Sequence, residues 1–210
     1  LRVAAFAEPF RHWLVEDCVD ADLARAAAAA VPAAVHPAWV RYWSDVESRK
    51  WAMNDPDGLG PAWRALFAAL TAPGWLARWS EAVGAELRAD PLCWGGGLHV
   101  TFGGGTLSPH LDYALHPSGL ERRLNLVLYL SDGNGWGGQT TLCDPDGRVV
   151  KSVEPRFNRA LFWEASDLSY HGTARLAADA PPRVTAAVYY LAEPRPGTTR
   201  RRAVFLPVRG

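Results

Sequence analysis

The 210-residue sequence predicts an α+β protein, helical in its first half and a β sandwich or barrel in its second. Three observations carry this reading. Residues 16–90 are rich in Ala, Leu and Trp and contain helix start and stop signals. From about residue 92, short apolar runs alternate with Gly, Pro, Asn and Asp clusters, the pattern of a many-stranded β fold. Leu124, Leu126, Leu128 and Leu130 occupy every second position, which gives a strand one apolar face. The length suits a single domain, with about 1–91 as helical support and 92–210 as the β core.

In chain order, Phe10 to Val15 reads as a strand. Ala21 to Val31 reads as a helix, with Asp20 as its cap and Pro32 as its stop. Trp39 to Trp51 is ambiguous. Pro61 to Leu70 is a second helix with Pro in its first turn. Trp75 to Leu87 is a third, with Leu76, Trp79 and Val83 at helical spacing. Strands follow near Leu98–Phe102, before a Gly103-Gly104-Gly105 turn, and near Leu124–Leu130, Gln139–Leu142, Arg159–Trp163, Val184–Leu191 and Ala203–Leu206. Pro194 to Arg202 is the most loop-like segment, and Tyr113 to Glu121 is a polar lid candidate.

Composition narrows the function. Lys+Arg and Asp+Glu are both 22, so no basic excess points to nucleic acid. No apolar run approaches the roughly 18 residues of a membrane span. No basic-then-apolar signal segment opens the chain, whose first residue is Leu, as expected if a native start is missing. Cys18, Cys93 and Cys143 are too few and scattered for a disulfide framework, which points to a cytoplasmic setting. Eight of the ten Trp residues precede residue 95, as a Trp-rich core or as stacking faces for sugars or flat rings.

His110-Leu111-Asp112 places an imidazole and a carboxylate on one face if the backbone is extended there. Such a motif is short enough to recur by chance. Downstream context adds to it, with His171 in a turn after an apolar strand, Arg183 twelve residues later and Thr185 two further on. Two His and one carboxylate suit non-haem Fe(II) with open coordination positions, and suit zinc equally. The apolar neighbours Val184, Ala186, Ala187 and Val188 bury Arg183, and a buried Arg needs an anionic partner.

The segments LHVTFGGGTLSPHLDYALHPSGLERRLNLVLYLSDGNGWGG, FWEASDLSYHG and PPRVTAAVYYL resemble the 2-oxoglutarate/Fe(II)-dependent dioxygenases, in their prolyl 4-hydroxylase-like branch. The likeness spans roughly residues 92–192. It implies a double-stranded β-helix (jelly roll) supported by N-terminal helices, and Fe(II), 2-oxoglutarate and O2 as the cofactor set. His110, Asp112 and His171 match the iron ligands. Arg183 matches the partner of the 2-oxoglutarate distal carboxylate, Tyr129 matches a strand position that also reaches it, and Asn125, Val127 and Thr185 line the same pocket. Gly172, directly after the second His, departs from the family pattern. A carboxylate at Asp112, rather than a small residue, implies oxidation and not halogenation.

The expected activity is hydroxylation of an unactivated C–H of a small molecule or natural-product intermediate, with release of succinate and CO2. Prolyl or other protein side-chain hydroxylation is the alternative within the family. A zinc hydrolase on a β barrel and a non-catalytic jelly-roll binding module are the alternatives outside it. For substrate contact the candidates are His99, which could equally be a core histidine, His116 on a loop over the mouth, and Arg122, at the rim or solvated. The likeness carries neither substrate identity nor oligomeric state.

Overall fold

The computed structural model describes residues 1–55 and 57–206. In chain order, β1 (Arg2–Phe6) and β2 (His12–Glu16) precede helix α1 (Ala21–Ala29), and β3 (Val40–Trp43) and β4 (Glu47–Met53) form a hairpin. Helices α2 (Pro61–Leu70) and α3 (Pro73–Val83) follow, then β5 (Arg88–Ala89). The second half holds β6 (Gly97–Leu111), β7 (Glu121–Tyr129), β8 (Thr140–Cys143), β9 (Val149–Val153), β10 (Ala160–Glu164), β11 (His171–Thr173), β12 (Arg183–Ala192) and β13 (Val204–Phe205).

The sheet is antiparallel and runs β1-β2-β10-β7-β12-β6-β11-β8-β9, with β4 and β13 also on β6 and β5 on β12. It curls into a jelly roll. Strand β6 is shared between the two sides of the roll: residues 97–101 pair with β12, while Leu107 and His110 pair with β11. One strand therefore carries both His99, where it pairs with β12, and His110, where it pairs with β11.

Each helix forms for a local reason. Asp20 Oδ1 accepts the amides of Asp22 and Leu23 at the start of α1. Pro61 and Pro73 open α2 and α3, where a missing N–H costs nothing, and Gly84 ends α3 in the left-handed region (φ 67°). The helices bury Trp63, Leu66, Phe67, Leu70 and Trp79 against the Leu124, Leu126 and Leu128 face of β7 and against Trp13 and Phe162. Trp79 stacks on Phe162 with centroids 3.8 Å apart. A smaller cluster inside the roll, Phe10, Tyr129, Leu142, Leu161 and Trp163, underlies the site.

Several expectations need correction. The first half is not only a helical support, since β2 pairs with β10, β4 with β6 and β5 with β12. The ambiguous Trp39–Trp51 stretch is the β3–β4 hairpin. Gly103-Gly104-Gly105 is not a turn but a bulged part of β6. A Cβ on Gly103 would lie 2.3 Å from the Ala178 carbonyl oxygen, so glycine lets segment 176–178 cross closely. Strand β7 starts three residues earlier than expected, at Glu121, because its charges are paired and buried: Arg123 with Glu121, and Arg122 with Asp112. His171 opens a short strand rather than sitting in a turn. Cys18, Cys93 and Cys143 are all free and buried. No helix among the described residues is long and apolar enough to cross a membrane.

Candidate metal centre

His110 lies near the end of β6, directly opposite His171 of β11 in the strand register. Asp112 follows the end of β6. One ligand atom from each of the three lies within 4.8 Å of the others. His110 Nε2 is 3.6 Å from Asp112 Oδ1, and His171 Nε2 is 3.4 Å from Asp112 Oδ2.

The other ring nitrogens settle what these atoms can do. His110 Nδ1 lies 3.0 Å from the Ser108 carbonyl oxygen and His171 Nδ1 lies 2.9 Å from that of Ser169. A carbonyl only accepts, so each Nδ1 carries the proton and donates it. In the neutral ring, each Nε2 then presents a lone pair towards the carboxylate. Burial lowers the His171 pKa to about 4 against the opposing pull of Asp112, so the ring is neutral at pH 7. Burial works against the Asp112 charge, but the Arg122 guanidinium first, then His171 and His110, hold its carboxyl well below the usual carboxylate range. Two imidazoles whose Nδ1 atoms are committed to carbonyls, converging with a carboxylate, are a donor set that fits a divalent cation.

Aromatic rings fix both imidazoles. Phe205 of β13 stacks on His110 at 5.0 Å and 21°, and Trp163 of β10 packs on His171 at 4.5 Å. Arg201 Nη1 donates to the Asp112 carbonyl oxygen at 2.7 Å. Gly172 has a steric reason: a Cβ there would lie 2.5 Å from the Leu107 carbonyl oxygen, so β11 reaches β6 only with glycine. Gly172→Ala is expected to cost about 1–3 kcal/mol of stability by overpacking, read from a denaturant titration. It should also weaken divalent-metal binding, because His171 moves with the strand.

A cavity of about 240 Å³ opens on the triad, lined also by His99, Val127, Thr140, Arg183 and Thr185, with Tyr42, Trp94 and Tyr113 among its other residues. Arg183 is buried, its side chain lies over the Tyr129 ring, and no carboxylate among the described residues pairs with it. Its Nη2 donates to Thr140 Oγ1 at 3.0 Å, while its Nε has no partner among the described residues. The Tyr129 hydroxyl donates to the same Oγ1 at 2.6 Å. With both lone pairs of Thr140 taken, its own hydroxyl proton is left to donate to a third group. A buried cation without an anion, beside a hydroxyl donor on a cavity wall, suits an anionic ligand.

The structure therefore brings His110, Asp112, His171, Arg183, Thr185, Val127, His99 and Arg122 to one cavity. Tyr129 and Asn125 are fully buried behind its wall rather than on it. Asn125 is no pocket liner, because its Nδ2 donates to Asp112 Oδ2 at 2.9 Å. Arg122 is neither a solvated nor a free rim residue, since its Nη2 pairs with Asp112 Oδ2 at 3.0 Å. His116 does not reach the cavity. It is buried 3.3 Å from Asp90 and 2.8 Å from Ser118 Oγ, bracing the Tyr113–Glu121 loop. Sequence reasoning missed Thr140, Trp163 and Phe205. Only the position of Thr140 in a short strand near Tyr129 could have flagged it.

The His99 pKa is well below its ordinary 6.5, from burial first and then from Lys50 and Arg183, and burial also lowers that of His12. Both rings take up protons less readily folded than unfolded. Stability is therefore full above about pH 6.5 and is lost as pH falls below it. Asp112 acts in the same direction only below about pH 4. The melting temperature of the metal-free protein is expected to be level from pH 8 to 7 and to decline below about 6.5. His99→Gln should make that decline shallower.

Residues 96–191 match the family model of the 2OG-Fe(II) oxygenase superfamily. The jelly roll is a 2OG-Fe(II) oxygenase domain. The fold agrees with solved structures. A Pseudomonas putida prolyl-4-hydroxylase is 17% identical with TM-score 0.63, covering 87% of this chain and 92% of its own. A Trichoplax adhaerens prolyl hydroxylase, in complex with a hypoxia inducible factor peptide fragment, is 13% identical with TM-score 0.61, covering 86% and 83%. The epimerase SnoN, in complex with Fe3+, alpha ketoglutarate and nogalamycin RO, is 20% identical with TM-score 0.60, covering 93% and 91%. No curated protein matches the sequence. The oxygenase is thus a 2-oxoglutarate-dependent non-haem iron dioxygenase, with Fe(II), 2-oxoglutarate and O2 as its cofactor set. The zinc hydrolase and the non-catalytic binding module fall away with that match.

Proposed function

We propose that the oxygenase hydroxylates an unactivated C–H of a small molecule or natural-product intermediate, releasing succinate and CO2. His110 Nε2, His171 Nε2 and Asp112 hold the iron. Arg183 takes the distal carboxylate of 2-oxoglutarate, with Thr140 donating beside it and Tyr129 holding Thr140 in place. Thr185 and Val127 shape the same wall, and Asn125 serves Asp112. When bound, iron and 2-oxoglutarate supply O2 activation and the oxidising power for C–H cleavage. The protein's part is to orient the substrate and keep the site dry.

The observation that carries this reading is the pairing of a His-Asp-His donor cluster with a buried guanidinium that has no carboxylate partner among the described residues, on the same cavity. Charge supports the substrate class. Lys50 pairs with Glu47 at 2.7 Å and Arg122 with Asp112 at 3.0 Å, leaving Arg183 as the cavity cation without an anion among the described residues. Once 2-oxoglutarate meets Arg183, the remaining wall offers Tyr42, Trp94, Tyr113 and Phe205 and no free charge. An uncharged group that packs on aromatic faces fits such a wall.

The test is succinate formation across small-molecule and peptide pools. Turnover that needs Fe(II), 2-oxoglutarate and O2 together, stimulated by neutral small molecules, is the expected result. Stimulation by peptides alone would make the enzyme a protein side-chain hydroxylase instead.

A further inference from the structure

The two oxygens of Asp112 are not equivalent. Oδ2 accepts Asn125 Nδ2 at 2.9 Å and faces Arg122 Nη2 at 3.0 Å. Oδ1 accepts no hydrogen bond from any described residue. The donors to Oδ2 are themselves locked. Arg122 Nε donates to Asn125 Oδ1 at 2.5 Å, and a guanidinium can only donate. That contact fixes which way the Asn125 amide points and so aims its NH2 at Oδ2. Arg122, Asn125 and Asp112 thus close a ring of hydrogen bonds.

The ring is built into the scaffold. Arg122 and Asn125 lie three residues apart on β7, beside β12, where Asn125 sits opposite Tyr189. The Arg122 guanidinium carbon lies 3.2 Å from the Tyr189 ring centroid and 4.9 Å from that of Tyr113. The Tyr189 hydroxyl donates to the Gly95 carbonyl and the Tyr113 hydroxyl to that of Trp94, so both rings are pinned. Arg122 and Asn125 are buried, and an Arg held between aromatic faces loses little further freedom on pairing.

We propose that Arg122 is a positioning residue acting through Asp112. With Asn125 it saturates Oδ2, restricts the carboxylate to binding metal through Oδ1 alone, and so keeps a second oxygen from closing a coordination position the reaction needs. This rests on the metal-binding reading of the triad. The guanidinium also draws charge from the carboxylate and weakens it as a donor, so loss of Arg122 changes the ligand field as well as the geometry.

The test uses Co(II) as probe, because its visible d–d spectrum reports coordination number and geometry without turnover. Wild type should bind one Co(II) per chain. Arg122→Met should still bind it, with an altered d–d spectrum and an affinity changed by roughly 10- to 100-fold, the range found for groups that orient metal ligands. Arg122→Lys keeps the charge but not the planar fork, and should fall between the two. Should Arg122→Met fail to fold, Asn125→Ala carries the test, since it leaves the guanidinium in place and frees one contact to Oδ2. A merely structural role would lower the melting temperature and leave the spectrum of bound Co(II) unchanged. Superimposable spectra and affinities within about twofold across the variants would overturn the inference and leave the triad standing. Absence of Co(II) binding in wild type would overturn the triad reading and this inference with it.

Discussion

Replacing Arg183 by Met is expected to raise the 2-oxoglutarate concentration for half-saturation by roughly 30- to 1,000-fold, the range expected when one partner of a buried, hydrogen-bonded charge pair is removed. The same substitution should leave the ligand-free protein at least as stable as wild type. These effects point in opposite directions because Arg183 is a buried cation whose side chain, among the described residues, hydrogen-bonds only the neutral Thr140 and leaves Nε unpartnered. Burial lowers its pKa, against the pull of Tyr129, which marks the cost of keeping the charge there. Met has similar length and no charge, so it relieves that cost and forfeits the anion contact. Isothermal titration with 2-oxoglutarate under anaerobic conditions, beside a denaturant melt of the ligand-free protein, reads both. A loss of stability with unchanged affinity would make Arg183 a structural residue.

Asp112→Ala is expected to abolish divalent-metal binding and succinate formation. It should also destabilise the metal-free protein by about 3–5 kcal/mol, because Arg122 is left buried without its anion. A fold-level loss could mimic a ligand-level loss, so the double variant Asp112→Ala/Arg122→Met separates them. Removing both charges should recover most of the stability, because a buried pair replaced by neutral groups is often close to neutral in energy. Metal binding should stay absent. Recovery of metal binding along with stability would show that the carboxylate is dispensable as a ligand.

The legible part of the fold was the part written in local chemistry. The Asp20 cap of α1, the Pro61 start of α2, the alternating leucines of β7 and the apolar strand through Arg183 each have a signal within a few residues. What was not legible depends on distant partners. Trp39 to Trp51 carries no clean period, and becomes a hairpin because β4 finds the edge of β6 some fifty residues later. Gly103-Gly104-Gly105 looks like a turn until segment 176–178 is seen crossing it.

The candidate site divides in the same way. His110, Asp112, His171 and Arg183 stand in recognisable order along the chain. Arg122 reads as a substrate contact at the pocket rim or a solvated arginine beside Arg123, since nothing in its neighbours along the chain shows that Asp112 will meet it from β6. Tyr129 and Asn125 alternate correctly onto the inner face of β7. They nonetheless stop short of the cavity, because Thr140 and Asp112 lie between them and the open space. Phe205 and Trp163 were invisible as bracing rings, because strand pairing, not spacing, brings them onto the imidazoles.

The most direct measurement is an anaerobic titration of Fe(II) and then 2-oxoglutarate into the metal-free protein, followed by iron stoichiometry and the visible charge-transfer band. One Fe(II) per chain should bind, and the band should rise with 2-oxoglutarate and vanish in His110→Ala and His171→Ala. Wild type without iron binding, or variants that keep both the iron and the band, would show that these side chains are not the ligands.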